Sequence, residues 1–256
     1  MTFRCCGLVP VYNHPDAIGG VVDGVLAAGL PVILVDDGSG PACRDVLVKL
    51  AADDPRIHLH HLPQNQGKGS AVKAGLRAAH QLGYSHALQI DADGQHDAGA
   101  IPRLLDFGRR HPQAIISGRP EYDHSVPALR YYSRYLTHVW VWINTLSLKI
   151  EDSMCGFRVY PVASCCRFLE GRFTGNYMDF DTEVLVKWQW AGGEIHQLPV
   201  IVRYPVDGVS HFRGWEDNWL ITRMHTRLFF GMLVRLPGLL GRRRRTSSPE
   251  KWRARS

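Results

Sequence analysis

Apolar and polar residues alternate in blocks along the first half of the chain. Short runs rich in aliphatic and β-branched residues, Cys5 to Tyr12, Pro31 to Val35, Ile57 to Leu62, His86 to Ile90 and Ala114 to Ser117, predict strands. Between them, Asp16 to Ala28, Ala42 to Ala52, Gly69 to Leu82 and Ile101 to Arg110 carry apolar residues at helical spacing. Strand and helix in alternation predict an α/β fold with a mostly parallel central sheet and helices on both faces, because parallel neighbours need a crossover that a helix supplies. Ligands of such sheets bind beyond the carboxyl ends of the strands, so chemistry is expected just after each strand.

Two later segments, Leu129 to Leu148 and Trp215 to Leu236, have amphipathic helical spacing. The second sets Trp215, Trp219, Leu228, Phe229, Met232, Leu233 and Leu236 toward one side and Arg223, Arg227 and Arg235 toward the other. Pro237-Gly238 is expected to end it, and Arg242 to Arg245 follow. The stretch Tyr135 to Leu148 lacks Asp, Glu, Lys and Arg for only 14 residues, short of the roughly 20 that a membrane span needs. An apolar face, arginines opposite and a basic cluster beyond suit a helix lying in a bilayer interface on anionic lipid. This predicts a catalytic domain over 1–212, an interfacial helix over 213–241 and a basic disordered tail over 242–256.

Charge supports that division. The formal charge of +6 is all in Arg242 to Ser256, which leaves 23 basic and 23 acidic residues before it. A neutral body argues against a nucleic-acid-binding face and for a local contact with an anionic surface. The six cysteines, Cys5, Cys6, Cys43, Cys155, Cys165 and Cys166, form no C-x-x-C pair and read as reduced thiols. With no apolar leader after Arg4, the expected location is cytoplasmic, peripheral on the cytoplasmic face of the membrane. His58, His60 and His61 follow strand alternation rather than zinc-ligand spacing.

Polar residues recur after four successive strands: Pro10-Val11-Tyr12-Asn13, Asp36-Asp37-Gly38-Ser39, Asn65-Gln66-Gly67-Lys68-Gly69 and Asp91-Ala92-Asp93-Gly94-Gln95-His96. Each alone is ordinary turn chemistry. Together, at one sheet edge, they offer a set of ligand contacts. Asp91 and Asp93 converge as oxygen donors suited to Mg2+ or Mn2+, and their mutual repulsion favours a cation between them and a diphosphate. Asp36 or Asp37 can accept from a base N–H or a ribose hydroxyl. The Gly-rich stretch opens a helix, so its amides and Lys68 are expected to meet phosphate, although it is not a Walker loop.

These four motifs resemble glycosyltransferase family 2, most nearly its dolichyl- or polyprenyl-phosphate sugar synthases, over about residues 3–212. The resemblance implies a GT-A type fold and inverting transfer of a sugar from a nucleotide-diphosphate sugar to a membrane-associated acceptor, a polyprenyl phosphate or lipid. It assigns Pro10, Tyr12, Asn13, Asp36 and Asp37 to the donor nucleotide, Lys68 to the donor's vicinity, and Asp91, Asp93 and Gln95 to the metal and diphosphate. Arg119 matches an arginine near the reacting phosphates. Asp152-Ser153-Met154-Cys155-Gly156-Phe157-Arg158 is similar to the family's acceptor loop, and Phe180-Asp181-Thr182-Glu183 to its acidic helix start. Asp152 with Arg158 would position an anionic acceptor, and Asp181 or Glu183 would orient sugar hydroxyls or act as a base. Asp179, Asp181 and Glu183 also suit a helix N-terminus by charge alone. The branch's later arginine and Ser-Lys pair are replaced by Pro205 and Ser210-His211, so acceptor-phosphate contacts fall to Ser210, His211 and Arg203, with Arg213 nearby.

Three other readings remain at this level. A hydroxyl acceptor would need a carboxylate base, whereas a lipid phosphate is already anionic. A sugar nucleotidyltransferase would carry an N-terminal Gly-rich basic loop, which Pro10-Val11-Tyr12-Asn13 is not. A scaffold would keep the nucleotide pocket without chemistry.

Overall fold

The computed structural model describes residues 2–121, 128–202 and 214–246. Its elements in chain order are β1 (Cys5–Val11), α1 (Ile18–Ala27), β2 (Val32–Asp36), α2 (Pro41–Asp53), β3 (Ile57–His61), α3 (Lys68–Gln81), β4 (His86–Gln89), α4 (Ile101–Arg110), β5 (Ile115–Glu121), α5 (Ala128–Thr145), β6 (Arg158–Pro161), α6 (Val162–Glu170), α7 (Phe180–Trp190), β7 (Ile195–Ile201) and α8 (Gly214–Thr246). Every expected strand and helix of the first half is present. The seven strands form one sheet in the order β3-β2-β1-β4-β6-β5-β7.

β1 and β2 are buried at every position, as continuous apolar runs must be when helices cover both faces of a sheet. One apolar layer packs α1, α2 and α4 against the sheet through Ile18, Val22, Leu47 and Leu104. The other packs α3, α5, α6, α7 and α8 through Leu76, Val141, Cys165, Leu185 and Leu228. All six cysteines are buried and unpaired.

Only β6 runs antiparallel to its neighbours β4 and β5. The carboxyl ends of the other six strands therefore lie at one edge, and the start of β6, Arg158, joins them there. β6 escaped the sequence reading because it is four residues long and opens on an arginine; β7 has Pro199 within it.

The last helix departs from expectation in two ways. Pro237 does not end it: α8 continues to Thr246, into the segment expected to be a disordered tail. A helical proline strips the carbonyl four residues back of its partner, but Leu233 and Pro237 are both exposed, so water can satisfy that carbonyl. The expected single apolar face is also split. Met224, His225, Leu228 and Met232 are buried, whereas Trp219, Phe230, Leu233 and Val234 are exposed. Burial follows i, i+4, i+8 because α8 lies against both α5 and α7, while Arg227, expected on the solvent side, turns in to Glu183.

Candidate active site

The carboxyl edge is organised by carboxylates that first hold loops together. Asp36, at the end of β2, is fully buried; Oδ1 accepts from the Ser39 amide at 2.8 Å and Oδ2 pairs with His61 Nδ1 at 2.8 Å. Burial alone would raise its pKa, but the hydrogen bonds from Ser39 and His61 hold it below the ordinary carboxylate value. Asp37 accepts from the amides of Gln66 at 2.8 Å and Gly67 at 2.9 Å, and burial raises its pKa despite them. Asn13, with a left-handed backbone, receives the Gly40 amide on Oδ1 and donates its own amide to Ser39 Oγ. Asn13, Asp36 and Asp37 thus lock the first three strand ends to one another. Pro10 sits inside β1, buried and in register with Val35, and Tyr12 follows at the rim, half-buried.

The Gly-rich stretch does less for phosphate than expected. The amides of Gln66 and Gly67 are taken by Asp37, and that of Ser70 by the carbonyls of Gly67 and Asn176. Gly67 has φ +92°, and a Cβ there would lie 2.4 Å from the Asn176 carbonyl. Its glycine is thus explained by loop packing.

Lys68 is the centre of the site. Its ammonium lies 2.8 Å and 2.9 Å from the two oxygens of Asp91 and 2.9 Å from Asp181 Oδ2. Burial would lower the lysine pKa, but Asp181 and Asp91 together raise it above its ordinary value. Burial likewise opposes charge on Asp91, yet Lys68 and His96 drive its pKa down. Asp93, two residues on, shows the opposite shift. Burial and the negative charge of Asp91 raise its pKa, against the hydrogen bond from the Gln95 amide. A carboxylate pair that resists full ionisation fits a divalent cation held by hard oxygen donors. The residues that would hold Mg2+ or Mn2+ are Asp91 and Asp93; Gln95 is placed beside them through its backbone.

The loop after α5 closes the site from the other side. Asp152 is buried; Oδ1 accepts the amides of Met154 and Cys155, and Oδ2 receives Arg134 at 2.6 Å, with His138 at 3.5 Å. Burial raises its pKa, but Arg134 outweighs that and holds it low. Arg158 does not join Asp152. It is wholly buried, and its guanidinium donates to the carbonyls of Ser153 at 2.7 Å and Asp181 at 2.8 Å and to Ser117 Oγ at 3.2 Å. The expected Asp152–Arg158 pair is thus not formed: the enclosed Arg158 guanidinium ties the Ser153 loop to the Asp181 backbone instead. Arg119, on β5, is half-buried and pairs with Glu151 and Glu121. Glu183 points away from Lys68 to Arg227 and Lys187. Arg203, Ser210, His211 and Arg213 lie outside the described residues, as does Pro205.

Sequence reasoning missed Arg134, His138 and the Lys68–Asp181 contact, which join residues far apart in the chain. It also missed a cluster elsewhere. His111, Glu194 and His196, at the opposite sheet edge, bring one ligand atom each within 4.8 Å of one another.

A profile of the Glycosyl transferase family 2 matches residues 7–170. The chain is 31% identical over 163 residues to an undecaprenyl-phosphate mannosyltransferase of Micrococcus luteus, covering 61% of this chain and 66% of that one. It is 34% identical over 175 residues to a polyprenol monophosphomannose synthase of Mycolicibacterium smegmatis, covering 62% of each. These matches span less than two thirds of the relatives' own length. Among solved structures, glucosyl-3-phosphoglycerate synthase from Mycobacterium tuberculosis, in complex with Mn2+, uridine diphosphate and glucosyl-3-phosphoglycerate, superposes with a TM-score of 0.67. That match has 13% identity and covers 90% of this chain and 80% of that one.

Proposed function

Because the chain belongs to glycosyl transferase family 2, we propose that it moves a sugar from a nucleotide-diphosphate donor to a polyprenyl phosphate, inverting the anomeric carbon and using Mg2+ or Mn2+. Its α/β sheet is of the GT-A type. The observation that carries the reading is the Asp91, Asp93 and Lys68 constellation at the carboxyl end of β4, backed by Asp181. A bound divalent ion would neutralise the charge that develops on the departing nucleotide diphosphate. The residues of the chain do the rest. Lys68 adds a second positive charge, Asp37 ties the donor-side loops, and Arg158 fixes the loop and helix that carry Ser153 and Asp181.

The acceptor chemistry follows from Asp181. Its Oδ2 is engaged by Lys68, and Oδ1 lies 3.6 Å from Arg158. It acts as a counter-ion to two cations, which supports an acceptor that brings its own negative charge. A lipid phosphate does so and can attack from the face opposite the leaving group, giving inversion in one displacement. The relatives named above act on undecaprenyl phosphate or polyprenol by their descriptions.

No helix among the described residues is long and apolar enough to cross a membrane. The reading puts the protein on a bilayer surface through the exposed apolar residues of α5 and α8, with the arginine-rich sequence after them supplying further contact with anionic lipid.

A thermal-shift panel of nucleotide diphosphates and nucleotide sugars with Mn2+ identifies the donor, and a transfer assay with a polyprenyl phosphate tests the acceptor. Asp93→Asn is expected to abolish the Mn2+-dependent shift and transfer, and Asp181→Asn to keep transfer within about ten-fold. A loss of roughly 10²–10⁴-fold in Asp181→Asn with donor binding intact would instead indicate a base and a hydroxyl acceptor.

A further inference from the structure

On the far side of α7 from Lys68, a second cationic site takes shape. Arg172, Lys187, Arg227 and Arg235 line a cavity of about 310 Å³ together with Phe173 and Trp190. Glu183 and Lys187 lie on the helix face turned away from Asp181, since two residues along a helix rotate a side chain by about 200°. The cavity is therefore separate from the carboxylates at the strand ends.

Its charge is not balanced. Glu183 is completely buried and accepts Arg227 at 2.8 Å, Lys187 at 2.8 Å and the Gly175 amide at 2.6 Å. Among the described residues it is the one carboxylate paired with any of the four cations. Arg172 and Arg235 are held by rings and carbonyls instead: Arg172 lies 4.9 Å from the Phe168 ring centre and Arg235 5.0 Å from that of Trp190, where it donates to the Gly231 carbonyl. A guanidinium stacked on a ring is oriented while its remaining N–H groups stay available, the arrangement that receives phosphate oxygens. Two guanidiniums beside one cavity, Arg172 and Arg235, thus have no carboxylate partner among the described residues, and an entering anion would relieve their repulsion.

We propose that this cavity binds a phosphate group, as a site distinct from that for the nucleotide-sugar donor. At about 310 Å³ it is at the lower limit of small-molecule pockets, sized for a headgroup rather than for a nucleotide. The neighbouring strip of α8 holds Phe230 and Val234, which are 62% and 81% exposed. Cations beside an exposed apolar strip match a phosphate carried on an acyl or prenyl chain, and free phosphate shares the same oxygen chemistry.

The test uses the full chain in EDTA, which silences metal-dependent donor binding. Inorganic pyrophosphate is titrated calorimetrically, and flotation is compared on phosphatidylcholine vesicles with and without phosphatidic acid. The variant Arg172→Ser/Arg235→Ser leaves the Glu183 cluster intact; Arg103→Ser/Arg110→Ser, on α4 across the sheet, removes equal charge elsewhere. Relative to that control, the cavity variant is expected to lose about ten-fold or more in pyrophosphate affinity, in phosphatidate-dependent flotation, or in both. Loss on vesicles assigns a lipid headgroup; loss with pyrophosphate alone assigns a free anion. Equal behaviour of the two variants in both arms overturns the proposal. The Mn2+-dependent donor shift stays unchanged in the cavity variant, so failure here is distinct from failure of the proposed transferase reading.

Discussion

Each carboxylate at the strand ends has a different charge environment, and that difference sets its role. Asp91 is driven ionised by Lys68 while Asp93 is pushed toward protonation by burial and by Asp91. The approach is tight on the loop side as well: a Cβ on Gly156 would lie 2.5 Å and 2.6 Å from the Asp91 oxygens and 2.6 Å from Lys68 Nζ. Gly156→Ala is therefore expected to displace these groups and weaken Mn2+-dependent donor binding about ten-fold, measured by thermal shift. Arg158→Met is expected to lower stability by about 3–5 kcal/mol in urea denaturation by leaving the carbonyls of Ser153 and Asp181 without their buried partner. The residues at the edge were legible because strand ends and turn residues are local signals. What was not legible was where their hydrogen bonds go. Asp37 reads as a nucleotide ligand in sequence, but both its oxygens are bonded to amides thirty residues away. Arg158 reads as an acceptor cation but is wholly buried at the start of β6, enclosed by Ser117, Ser153 and Asp181. Long-range pairing of this kind leaves no periodic trace.

Among the elements, the early strands and helices were readable because each buries one apolar run or stripe, whereas α8 was misoriented. Its apolar stripe is wide enough to meet both the neighbouring helices and the outside, so periodicity alone did not decide which of its residues face α5 and α7. The polar residue that settles the matter is His225. It is buried, its Nδ1 is 3.3 Å from Asn144 Nδ2 on α5, and burial holds its pKa down at about 4. A group whose folded pKa lies below its unfolded value gives stability that is fully present above the unfolded value, near 6.5, and lost as pH falls toward 4, because the unfolded chain takes up the proton first. The drop amounts to about 3 kcal/mol for His225 over that window. Burial lowers the pKa of His86 and His138 as well, and they act in the same direction. Urea denaturation of wild type and His225→Gln at pH 7 and pH 4.5 checks this. The wild type should lose more stability between the two, by roughly 2–3 kcal/mol, and an equal loss in both would show that His225 does not dock α8 in its neutral form.

At the scale of the molecule, α5 connects the loop of Asp152 to the outer surface. Arg134 and His138 reach Asp152 from one side of this helix. Leu136, Trp140 and Ile143, at i, i+4 and i+7, are exposed on another. Trp140 meets Phe229 of α8 edge-on at 6.4 Å, and Leu233 and Leu240 continue that face of α8, both exposed. The two helices thus present one apolar ridge, while Arg134 and His138 on α5 hold the loop that carries Asp152. On the proposed reading, a lipid phosphate drawn from a bilayer would meet the site along α5. This arrangement predicts that membrane binding and the fold can be separated. Leu136→Ser/Leu233→Ser removes two exposed apolar contacts and no core packing. Burying a leucine side chain in an apolar phase is worth about 1.5–3 kcal/mol, so flotation of the full chain on anionic vesicles should fall at least ten-fold. Donor binding in solution and the melting temperature should stay at wild-type values. Transfer to a short, water-soluble prenyl phosphate should also persist, whereas transfer to a long chain embedded in vesicles should fall with flotation. Unchanged flotation of the variant would show that α5 and α8 do not form the membrane face and would leave the arginine-rich end as the remaining contact.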